Sequence, residues 1–111
     1  MKGLSILAAG VAALATSHAG RAAEATAVAP PVEACIVEAA QAFAIDALPL
    51  RVLQRTEAGR VGLAQPNDDG SVDLGPMQVN SVHLAEFARF GIGYDDLRDN
   101  RGCANVLAAA Y

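Results

Sequence analysis

Two carboxylates, two cysteines and one histidine hold most of the chemistry this sequence offers. Glu57 follows Leu50 and Leu53 at i, i+3 and i+7 spacing, so on a helix its carboxyl lies on the apolar stripe at the C-terminal end. Burial and the negative end of the helix dipole would both favour the protonated acid there. A carboxyl kept protonated near neutral pH is a general acid. The structural alternatives are a frayed helix end with Glu57 in water, or an ion pair with Arg55, Arg60 or Arg89. Asp73 alternates with Val72 and Leu74, so on a strand it faces away from them, toward a cleft or onto the backbone amides of the Asn67–Gly70 turn. His83 has no partner at metal or triad spacing and reads as a helix-surface residue, so no metal site is expected. Ser71 and Ser81 lack His and Asp company, which leaves a serine nucleophile unsupported. Gly91-Ile92-Gly93 is a helix stop, since no strand precedes it and no Lys follows. No cofactor is implied.

The elements that must position these groups follow from periodicity. Val32, Cys35, Ile36, Ala39 and Phe43 form an apolar stripe over Val32 to Phe43 that Glu33, Glu38 and Gln41 avoid, which predicts a helix. Asp46 is an N-cap for a second helix from Ala47 to about Glu57, with Pro49 harmless in its first turn and Gly59 as its stop. Asn67-Asp68-Asp69-Gly70 is a dense turn signal, and with the alternation around Asp73 it predicts a short strand or hairpin over 62–75, ended by Pro76. Asn80 or Ser81 caps a third helix through Phe90, with Leu84, Phe87 and Ala88 inward and Gly91 as its stop. A single turn is expected over Asp95–Arg98 and a last helix from Cys103 to Tyr111. The fold class is mainly α, an α+β arrangement of short helices with a small β-hairpin.

Composition narrows the function. The 111 residues carry a net charge of −4, with 53% hydrophobic residues and no Trp. That balance disfavours disorder, and the absence of a basic run disfavours nucleic acid or a membrane held by charge. Lys2 precedes an apolar or small run over Leu4–Thr16, and Ser17-His18-Ala19 offers small residues for cleavage after Ala19; Ala25 and Ala27 end competing sites. This is the layout of a secretory signal peptide over 1–19, too short for a stable membrane anchor. An alanine-rich, flexible leader over 20–31 ends in Pro30-Pro31, and the folded domain spans 32–111. Cys35 and Cys103 stand near its two ends, and an even cysteine count in an exported chain implies a disulfide. Closing a loop of that length is worth about 4 kcal/mol at most in the chain-entropy account.

Four pieces in order resemble the lysozyme-like superfamily, and within it the small exported lytic transglycosylases of secretion, conjugation and pilus systems. They are Cys35, then Thr56-Glu57-Ala58-Gly59, then Asp73-Leu74-Gly75-Pro76-Met77-Gln78-Val79-Asn80, then Cys103-Ala104-Asn105-Val106. The resemblance covers Cys35 to Tyr111. Ala58 stands where the family has Ser or Gly. Family members continue past the equivalent of Tyr111 into helices that include an Ala-Tyr-Asn motif lining the cleft, so the wall opposite the hairpin is expected to be short or absent.

The resemblance implies a periplasmic enzyme whose partner is the peptidoglycan glycan strand, with Glu57 as its catalytic acid and no cofactor. Asp73, Gly75, Met77, Gln78 and Asn80 are implied as supporting or substrate-binding residues, Met77 more by packing than by contact. In a transglycosylase one carboxyl serves both steps of the reaction. Two alternatives stay open: a lysozyme-type hydrolase that also uses Asp73, and a glycan-binding secretion accessory with little catalysis. Export is checked by N-terminal sequencing of the protein recovered from the periplasm. The mature chain should begin at Gly20, Thr26 or Val28, and an exported protein still starting at Met1 would revive a membrane anchor.

Overall fold

The structure is a computed structural model that describes residues 30–111. The signal peptide expected over 1–19 and most of the leader over 20–31 lie outside the described residues.

Helix α1 (Val32–Phe43) and helix α2 (Ala47–Glu57) pack against each other, with the boundaries expected from periodicity. On α1 the inward stripe is Cys35, Ile36, Ala39 and Ala40; Phe43, expected on that stripe, is 39% exposed at its far end. Asp46 caps α2 by accepting a hydrogen bond from the Leu48 N–H at 2.9 Å. The stop differs from expectation. Ala58, and not Gly59, takes the left-handed turn (φ 53°) that ends α2, because Gly59 is needed for a close backbone approach described below.

The sheet has three strands where a hairpin was expected. Strands β1 (Ala64–Pro66), β2 (Val72–Leu74) and β3 (Val79–Asn80) pair antiparallel in the order β1-β2-β3. Asp73 stands between Gln65 and Asn80, and Leu74 between Ala64 and Val79. Pro76 does not end the sheet. The Gly75–Gln78 turn reverses the chain, with the Gln78 N–H donating to the Gly75 carbonyl at 3.1 Å, and Val79 returns beside Leu74.

The expected third helix is a composite: a 3-10 turn (Ser81–His83), helix α3 (Leu84–Phe87) and a second 3-10 turn (Ala88–Phe90). Asn80 caps it through the Val82 N–H, and Gly91 (φ 76°) ends it. Phe87 is buried and Leu84 half-buried, but Ala88 is exposed, since the tighter three-residue winding carries it off the inward face. The single turn expected near Asp95 is helix α4 (Tyr94–Asp99), and the chain closes with helix α5 (Ala104–Ala110). The molecule is therefore mainly helical with one small antiparallel sheet. No helix among the described residues is long and apolar enough to cross a membrane.

Cys35 and Cys103 are bonded, with their Cα atoms 5.3 Å apart, and tie α1 to the start of α5. Around this bond sit Ile36, Leu74, Leu97 and Val106, all essentially inaccessible. Two fully buried asparagines join the core to the sheet. Asn100 starts α5 by accepting from the Asn105 and Val106 N–H groups at 3.0 and 3.3 Å, and its own amide reaches Cys35 Sγ. Asn105 donates to the Leu74 and Leu97 carbonyls at 2.6 and 2.8 Å and accepts from the Met77 N–H at 2.8 Å.

Asn105→Ala would remove three hydrogen bonds to buried backbone groups. At about 1–3 kcal/mol for each, the substitution should cost at least about 3 kcal/mol, read as a drop in the midpoint of urea unfolding. An unchanged midpoint would show that the amide is replaceable by water.

Candidate active site

The C-terminal end of α2 meets the Gly75–Gln78 turn at glycine on both sides. A Cβ on Gly59 would fall on the Gly75 carbonyl oxygen and 2.8 Å from that of Pro76. A Cβ on Gly75, which has φ 70°, would fall on the Leu97 carbonyl oxygen and the Asn105 amide. Glycine is thus required twice in one stack: α2 end, turn, Asn105. That stack sets where Glu57 stands relative to the turn. Gln54 adds to it by donating to the Gly59 carbonyl at 3.5 Å.

A cleft of about 430 Å³ opens beside this junction. It is lined by Leu53 and Glu57 of α2, by Met77, Gln78, Val79 and Asn80 of the turn and β3, by His83, Glu86 and Phe87, and by Ala108, Ala109 and Tyr111. Glu57 is exposed at this cleft, which corrects the expectation of a buried carboxyl. The apolar stripe on α2 runs out before its last turn: Leu50 is buried, Leu53 half-buried and Glu57 in water. Among the described residues it makes no ion pair, so Arg55, Arg60 and Arg89 leave it free.

The other sequence-predicted residues divide into lining and frame. Gln78 lines the cleft from a left-handed conformation (φ 54°), with its side-chain amide folded back on the Gly75 carbonyl at 2.9 Å. Met77 is 3% exposed and packs in the core while also contributing to the cleft lining. Asn80 lines the cleft, yet its amide is fully employed. It donates to Ser71 Oγ at 3.0 Å and Asp73 Oδ1 at 2.9 Å, and accepts from the Val82 N–H. Gly75 is frame alone. Asp73 is not among the cleft-lining residues. Nor does it bind the Asn67–Gly70 turn. Asp69 does that, accepting from the Ser71 hydroxyl and N–H at 2.6 and 2.9 Å, and these two bonds hold its carboxyl below the usual range. Asp73 instead orients Asn80 from the neighbouring strand.

Three lining residues had no role in the sequence reading. His83 is exposed, as a helix-surface residue should be, but the surface it occupies is the cleft. Glu86 follows at i+3 and shares that face, a spacing that would have flagged the pair once Asn80 was taken as the cap. Tyr111 lines the cleft with its ring set edge-on against Phe87 and Phe90, centroids 5.9 and 5.5 Å apart. No groups of His, Cys, Asp or Glu that could hold a metal occur among the described residues.

No protein-family model matches the sequence. The chain is 34% identical over 77 residues to the invasion protein IagB of Salmonella typhimurium, strains SL1344 and LT2, and of Salmonella typhi. The match takes in 68% of this chain and 48% of the relative. The chain therefore spans about half the length of the curated relatives it matches.

The stack at Gly59 gives a direct test. Gly59→Ala would force α2 away from the turn, so it should lower the unfolding midpoint and shift the amide resonances of Gly75 to Gln78. A variant with the wild-type midpoint and an unmoved turn would show that the contact does not set the position of Glu57.

Proposed function

We propose that this chain is an exported lytic transglycosylase domain, which cleaves the bond between N-acetylmuramic acid and N-acetylglucosamine in peptidoglycan. The observation that carries this reading is Glu57, a carboxyl that makes no ion pair among the described residues, at an open cleft lined also by the Met77–Asn80 segment. The ordered motifs around Glu57, Met77-Gln78-Val79-Asn80 and Cys103-Ala104-Asn105-Val106 support it, as does the 34% identity with the invasion protein of Salmonella.

In this reading Glu57 protonates the bridging oxygen as the C1–O bond breaks, and positive charge develops at C1 and the ring oxygen. The Glu57 carboxylate then takes the proton of the muramoyl C6 hydroxyl, whose oxygen closes on C1 to leave a 1,6-anhydro end. One carboxyl gives a proton and recovers one, and no water is consumed. Gln78 keeps an amide oxygen for a sugar hydroxyl or acetamido N–H, while its nitrogen holds the turn.

The hydrolase alternative needs Asp73 at the reacting carbon. Its hydrogen bond to Asn80 and its place outside the cleft lining favour the transglycosylase. We assign the domain to the periplasm, with the glycan strand as its substrate and a secretion, conjugation or pilus machine as the setting. The relatives' name, invasion protein, is in keeping with local wall opening for such a machine.

Digestion of purified peptidoglycan with mass analysis of the products tests this. The wild type should release 1,6-anhydro ends, and Glu57→Gln should lower the rate by about 10²–10⁴-fold with folding intact. Asp73→Asn should cost far less. Equal losses in the two variants with reducing ends as product would establish the hydrolase instead, and an inert wild type would leave a glycan-binding accessory.

A further inference from the structure

Three polar side chains are buried among the described residues: Ser71, Asn100 and Asn105. The two asparagines hold α5 and the Gly75–Gln78 turn. Ser71, 9% exposed and just before β2, belongs neither to the apolar core nor to the cleft lining. Its hydroxyl is nonetheless fully bonded. It donates to Asp69 Oδ1 at 2.6 Å and accepts from Asn67 Nδ2 at 3.1 Å and from Asn80 Nδ2 at 3.0 Å. One proton and two lone pairs are all that a hydroxyl has to offer.

The direction of these bonds fixes a residue of the cleft. An ionised Asp69 can only accept, so the Ser71 proton points to it and both lone pairs turn to amide N–H groups. Asp73 Oδ1 presents a second acceptor to the same Asn80 nitrogen at 2.9 Å. With two acceptors beside it, the Asn80 amide has one sense: nitrogen to Ser71 and Asp73, oxygen to the Val82 N–H at 2.9 Å. That last bond caps the segment from which His83, Glu86 and Phe87 line the cleft. Glu57 rests on a different support. The bonds of Gln54, Gln78 and Asn105 around the Gly59–Gly75 contact share no side chain with those of Ser71 and Asn80.

We propose that Ser71 is a positioning residue of the cleft. Its hydroxyl orients the Asn80 amide and, through the Asn80 cap, the segment that carries His83, Glu86 and Phe87. It thereby governs how well the glycan is held, and not proton transfer at Glu57. The inference rests on the glycan reading above and adds a residue outside the cleft on which glycan binding depends.

Steady-state cleavage of soluble, uncrosslinked glycan strands from peptidoglycan separates the two effects. Ser71→Ala should raise KM about 2- to 10-fold, the worth of a neutral hydrogen bond, and leave kcat within about 2-fold. Ser71→Thr keeps the hydroxyl and should restore KM. Asn67→Ala removes another bond to the same hydroxyl but none to Asn80, so it should lower the midpoint of urea unfolding without moving KM. The side-chain amide resonances of Asn80 and the backbone amide of Val82 should shift in Ser71→Ala and return in Ser71→Thr. An unchanged KM in Ser71→Ala, an equal rise in Asn67→Ala, a rise that Ser71→Thr does not reverse, or a fall in kcat at constant KM would each overturn the role of Ser71 and leave the glycan reading standing. A wild type that neither binds nor cleaves the strands would overturn both.

Discussion

One buried amide, that of Asn105, fixes the arrangement on which the cleft depends. It bonds the exit of β2, the N–H of the Met77 turn and the last turn of α4 at once. All three backbone groups are buried, and buried polar groups left unpaired are costly. A side chain of another length could not reach all three. The same amide occupies the space a Gly75 side chain would need, so the glycine and the asparagine are two halves of one constraint. Gly59 then rests on the turn that they hold, and Glu57 stands two residues earlier.

The disulfide and Asn100 act one layer further back. Cys103 sits in a left-handed conformation (φ 65°) at the start of α5, as does Asn100 (φ 51°) at the end of α4. Such conformations are unfavourable for residues with a Cβ. The covalent tie to Cys35 and the hydrogen bonds of Asn100 to the first turn of α5 hold them in place. A core this small has little apolar area to spare, and a cross-link over 68 positions narrows the unfolded ensemble where side-chain burial is limited. The site therefore hangs on polar and covalent ties more than on a large apolar interior.

The polar residues of the sheet follow a matching division of labour. Asp69 shapes the turn, Asp73 orients Asn80, and Asn80 caps the segment that carries His83 and Glu86. Carboxylates near a cleft are easily read as reacting groups. Here two of them spend their hydrogen-bonding capacity on the frame, and the two that line the cleft, Glu57 and Glu86, make no ion pairs among the described residues.

Local signals in the sequence determined the two long helices, the Asp46 cap, the Asn67–Gly70 turn and the Cys35–Cys103 pairing. Apolar periodicity, capping chemistry and cysteine count act over short stretches or through covalent chemistry, so they are legible without the fold. Only the tertiary structure decided the rest. Strand β3 has two residues and no periodicity of its own; it exists because the Gly75–Gln78 turn lays it on β2. The exposure of Glu57 depends on which neighbours cover the end of α2, and stripe spacing cannot report that. Gly59 reads as a helix stop until its Cβ is seen to have no room. His83 and Glu86 read as ordinary surface, because a surface becomes a cleft only when a distant element, here α2, lines the same cavity.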